Sequence, residues 1–103
     1  MSRTPTQHVT VVIPAKGHPV LLDDAIGSVE RELEAGVIRR LIVVDDGCQF
    51  AETRDALSAW QALLGGRLMV LHTKNGGLSR ARNLGIEAAL RLDPGLDAIF
   101  LLD

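Results

Sequence analysis

The sequence predicts a three-layer α/β/α domain built on a mostly parallel, doubly wound sheet. Three observations carry this. Short aliphatic, β-branched runs alternate with segments whose apolar residues recur at helical spacing. Each run ends in a cluster of turn residues. The runs are apolar at successive rather than alternate positions, the pattern of strands covered by helices on both faces. The resulting order is βαβαβαβ, and right-handed crossovers then favour a 3-2-1-4 strand order with the first strand central.

The elements follow in sequence. Residues 9–13 (VTVVI) form a β-branched run stopped by Pro14. Leu22, Ala25, Ile26, Val29 and Leu33 then mark a helical face, with Gly36 as its stop. Residues 41–44 (LIVV) are a second strand, ended by Asp45, Asp46 and Gly47. The helix carrying Ala56, Leu57, Trp60 and Leu64 closes at Gly65 and Gly66. A third strand, 68–71 (LMVL), leads to the turn Asn75-Gly76-Gly77. Leu78, Ala81, Leu84, Ala88 and Leu92 make the third helical face, stopped by Asp93-Pro94-Gly95. Gly85 lies inside that helix, where glycine costs about 1 kcal/mol relative to alanine, and this predicts close packing of helix on sheet. Residues 98–102 (AIFLL) are a fourth strand before Asp103. An apolar strand with nothing after it to cover its edge predicts a truncated domain, and leaves that edge open to self-association.

Composition bounds the function. With 103 residues there is room for one domain, and 47% hydrophobic against 23% charged residues describes a globular chain. Only 3% of the residues are aromatic and the net charge is −2. The first speaks against a stacking platform for nucleic acid, the second against a bulk electrostatic attraction to nucleic acid or membrane. A lone Cys48 fits a reducing, cytoplasmic setting, and no run is long enough to span a bilayer. Residues 1–8 read as a flexible N-terminus with no signal-peptide core.

In an open parallel sheet, ligands bind beyond the carboxyl ends of the strands. The unusual segments all fall there: Pro14-Ala15-Lys16-Gly17, Asp45-Asp46-Gly47, Asn75-Gly76-Gly77 and Asp103. Asp45 and Asp46 are adjacent at a strand end, so their side chains diverge; one can face a cleft while the other caps the following turn or helix. Gly76 and Gly77 let backbone approach a ligand, and the helix start beyond them favours anions. Arg80 and Arg82 are two apart and share no helical face, so at most one points at the cleft. His8, His18, His72 and Cys48 lack zinc-site spacing. Neither a dinucleotide-binding glycine fingerprint nor a P-loop follows the first strand.

Taken in order, these segments resemble family 2 glycosyltransferases of the Rossmann-like GT-A fold. The matching pieces are VVIP at 11–14, IVVDDG at 42–47, NGGLSRARNLGI at 75–86 and FLLD at 100–103. The resemblance implies that residues 9–103 are the nucleotide-sugar-binding part of such a domain. It implies that Pro14, Ala15, Lys16 and Asp45 lie by the base and ribose, with Asp46 and Gly77 in the same site and Arg82 near the diphosphate. Asp103 is similar to the first acid of a DxD motif, whose carboxylates hold Mn²⁺ or Mg²⁺, metals suited to hard oxygen ligands. In the family the second DxD acid, the catalytic base and the acceptor site come later in the chain. Two departures stand out: Ala15-Lys16-Gly17 replaces a segment that commonly carries an aromatic, and Cys48 replaces a serine.

The implied activity is metal-dependent transfer of a sugar from a UDP-, GDP- or dTDP-linked donor to an unidentified acceptor with inversion, in a parent protein that the family allows to be membrane-associated. Two other readings share the sheet. A nucleotide-sugar pyrophosphorylase-like enzyme calls for an arginine-bearing glycine loop after the first strand. A regulatory module with Asp45 or Asp46 as phosphoacceptor calls for a fifth strand.

Overall fold

The computed structural model describes residues 9–15, 19–47, 51–74 and 76–102; the predicted flexible N-terminus, Lys16 and Asp103 lie outside them. The elements are β1 (Val9–Ala15), α1 (Pro19–Glu34), β2 (Arg40–Asp46), α2 (Ala51–Leu64), a 3-10 turn (Gly65–Arg67), β3 (Leu68–Thr73), α3 (Leu78–Leu92) and β4 (Ala98–Leu101). The four strands form one parallel sheet in the order β3-β2-β1-β4, as the pattern predicts.

Side-chain alternation gives the sheet two buried faces. Val9, Val11, Ile13, Leu41, Val43 and Leu68 pack with Leu22, Ile26 and Leu33 of α1 and Leu57 and Leu64 of α2. On the other face, Val12, Ile42 and Val44 meet Ala81 and Ala89 of α3. The first face is thick with leucine and isoleucine; the second is thin, because α3 offers alanine and glycine where it touches the sheet. Gly85 is the closest approach. A Cβ there would collide with the Val12 Cγ1 methyl and come within 3.2 Å of Val44 Cγ2, so the glycine marks close helix–sheet packing as expected. The α1–α2 layer is further tied by the Trp60 indole, which donates to Asp23 Oδ1 at 2.8 Å.

Three strands overrun their predicted ends. β1 continues past Ile13 to Ala15, β2 past Val44 to Asp46, and β3 past Leu71 to Thr73. Polar residues stay in the ladder because the register sets partners side by side, Asp45 with His72 and Asp46 with Thr73. Pro14 is tolerated inside β1 for a geometric reason. The Val12 carbonyl accepts from Leu102 N at 2.9 Å, so residue 14, two positions on, also faces β4, where the strand pairing has already ended.

Burial on both faces holds for β1 and β2 but not for the fourth strand. Phe100 is 59% exposed and Leu101 also faces solvent, as the outer position in the sheet dictates. Beside them a groove of about 520 Å³ runs between α1 and β4, lined by Val9, Val29, Glu32, Phe100 and Leu102 among others.

Candidate functional site

The carboxyl ends of β1, β2 and β3 form one rim, and the register arranges it in rows. Ala15, Asp45 and His72 lie side by side across the three strands. Ala15 belongs to the sheet face packed by α1 and α2, and alternation puts the other two on that face. One residue further on, Asp46 and Thr73 form a second row on the α3 face.

The adjacent acids are therefore placed in different surroundings. Asp45 is 5% exposed, and its Oδ2 lies 3.2 Å from Nδ1 of His72, whose side chain is 66% exposed. With the ring proton on Nδ1, the imidazole donates to this carboxylate. Asp46 is 3% exposed and holds the turn between β3 and α3. Its Oδ1 accepts from Thr73 Oγ1 at 2.6 Å and from Gly76 N at 2.7 Å; its Oδ2 accepts from Gly77 N at 3.0 Å. The sequence predicts that one of these acids caps the turn that follows it. Residues 48–50 of that turn lie outside the described residues; among the described residues Asp46 holds the turn after β3, 30 residues on, because the parallel register brings that turn beside the end of β2.

That turn opens α3. Gly77 is its N-cap, with φ 92° and ψ 166°, a region almost reserved for glycine, and no side chain caps the helix. Gly76 also makes room for a neighbouring side chain. The stem of Arg80 lies across it, so that a Cβ at 76 would meet Arg80 Cδ. Arg80 is exposed, whereas Arg82 is half-buried with its Nε out of solvent. Pro14, Ala15 and Asp46 join Leu78 and Ala81 around a hollow of about 30 Å³, the volume of about one water. It is the floor of an open rim.

Of the predicted site residues, Pro14, Ala15 and Asp46 thus meet at the hollow, Gly77 is bonded to Asp46, and Asp45 sits one row away on the other face. Arg82 lies further along α3 and does not line the hollow. Lys16 and Asp103 fall outside the described residues. Among the described residues, no group of three or more His, Cys, Asp or Glu side chains is placed to hold a metal ion. His72 and Thr73 are site residues that the motif search passed over. Their signal was positional: they follow the third apolar run at the offset at which Asp45 and Asp46 follow the second.

A parallel 3-2-1-4 sheet with acids at the end of β2 and a glycine turn opening α3 can be compared with known proteins. The family model described as glycosyl transferase family 2 matches residues 10–91. The chain belongs to that family. A relative is the uncharacterized glycosyltransferase EpsJ of Bacillus subtilis (strain 168), 31% identical over 81 residues, which are 79% of this chain and 22% of the relative. The chain thus spans about a fifth of that relative's length. The sheet order and flanking helices of this family 2 chain are those of a GT-A-like α/β fold. The match takes in Pro14, Ala15, Asp45, Asp46, Gly77 and Arg82, and ends before Asp103. No described helix is long and apolar enough to cross a membrane.

Proposed function

We propose that the protein is an inverting glycosyltransferase that uses a nucleoside-diphosphate sugar, UDP-, GDP- or dTDP-linked, and that this chain supplies its nucleotide site. The reading is supported above all by the Asp46 clamp. It fixes the start of α3, which favours anions, at the end of the sheet where the next row carries Asp45, a carboxylate able to accept from a base N–H or a ribose hydroxyl. A nucleoside diphosphate carries both kinds of group.

In this reading Asp45 binds the nucleoside and Ala15 leaves room for it. Asp46 keeps the glycine turn in shape, and the α3 start with Arg82 faces the diphosphate. An acceptor hydroxyl attacks the anomeric carbon as a base takes its proton, and the nucleoside diphosphate leaves with the bonding electrons. Mn²⁺ or Mg²⁺, held by Asp103 with other acids, would neutralise charge on that leaving group.

The test is calorimetric titration of the full-length protein with UDP, GDP and dTDP, with and without Mn²⁺. One of the three should bind at one site per chain, more tightly with the metal. Binding of none, with the fold intact by circular dichroism, overturns the proposal.

A further inference from the structure

We infer that His72 is a specificity-determining residue of the nucleotide site, acting together with Asp45 as one recognition unit for the nucleoside; this rests on the nucleotide reading above. Four observations converge. The ring lies 3.2 Å from the Asp45 carboxylate, a side chain almost wholly buried. The two residues are register partners on the same sheet face, so the contact is fixed by backbone pairing rather than by a flexible loop. The imidazole is nevertheless 66% exposed, and nothing in the sheet requires a polar aromatic there. Finally, the row continues to Ala15, whose small side chain leaves the strand end beside Asp45 without bulk.

The chemistry of this row suits a planar, hydrogen-bonding ligand. A donor on Nδ1 holds the carboxylate in one orientation, and a ligand that must donate to a fixed acceptor discriminates among bases more sharply than one meeting a mobile acceptor. The outward face of the ring offers a flat surface in a chain otherwise poor in aromatics, with Phe, Trp and Tyr together making up 3% of its residues. Its Nε2, unprotonated when Nδ1 carries the proton, is an acceptor at the rim. A base or ribose seated over Ala15 would meet a carboxylate and an imidazole acceptor together.

Three variants of the full-length protein separate these contributions: His72→Ala, His72→Asn, which keeps a donor near the Nδ1 position, and His72→Phe, which keeps a ring without a donor. Each is titrated with UDP, GDP and dTDP, and with inorganic pyrophosphate as a probe of the phosphate side alone. Alanine should weaken the preferred nucleotide by about tenfold or more, the effect of one charge-assisted hydrogen bond, and flatten the preference among bases. Asparagine should recover most of the loss, phenylalanine only part, and pyrophosphate should bind all variants alike. Wild-type preference retained by the alanine variant overturns the assignment while leaving the nucleotide reading standing. An equal loss for pyrophosphate also overturns it, since it would mark a general structural role. Failure of the wild-type protein to bind any nucleotide removes both.

Discussion

Asp46 shows how much a single carboxylate can organise. Its oxygens take two backbone amides and one hydroxyl from a turn that contains two glycines and has little else to fix it. Replacing it with alanine strands those donors. At roughly 1–3 kcal/mol for each unsatisfied group, partly relieved by water at the rim, Asp46→Ala should lower unfolding free energy by about 2–4 kcal/mol, readable in urea denaturation. Asp46→Asn, which keeps an acceptor for only one side, should fall between. The same tie predicts an unusual exchange pattern. The amides of Gly76 and Gly77 should be protected from hydrogen exchange despite lying in a turn, and should lose that protection in the alanine variant before the β2 amides do. Gly77→Ala tests backbone shape alone: nothing lies within 4 Å of a Cβ there, so its cost, about 1–3 kcal/mol, comes from φ 92° and not from crowding.

At the scale of elements, two helix glycines make opposite predictions. Helix propensity alone would have alanine stabilise both by about 1 kcal/mol. In α1, Gly27 is exposed with nothing within 4 Å of an added Cβ, so Gly27→Ala should gain about 0.5–1 kcal/mol. In α3, the added methyl of Gly85→Ala runs into Val12, which is fully buried, and the overpacking cost of about 1–3 kcal/mol outweighs the propensity gain. Thermal melts of the two variants should move in opposite directions. That contrast also shows what the sequence made legible. Gly85 announced itself locally, as a glycine inside an amphipathic pattern, and the strand runs at 9–13, 41–44 and 68–71 announced the sheet in the same way. The partners of Asp45 and Asp46 did not, because His72 and Thr73 lie 27 residues away and only the parallel register brings them alongside. Strand ends were misjudged for the same reason: an acid looks like a turn residue until its cross-strand donor is known.

Among the described residues, the sheet is well covered at its centre and exposed at β4. Phe100 is exposed in this chain, so Phe100→Lys should change its stability by no more than about 0.5 kcal/mol while reducing light scattering at high protein concentration. The side of β1 that faces β4 is shaped by Pro14. The bond that would continue the β1–β4 ladder after Leu102 N to Val12 O would start from the amide of residue 14, and proline has none. This β1–β4 boundary is the point in the strand order where crossovers change sides. Pro14→Ala supplies that amide, and one added hydrogen bond, about 0.5–1.5 kcal/mol, should offset the about 0.4–1 kcal/mol by which proline restricts the unfolded chain, leaving the melting temperature nearly unchanged.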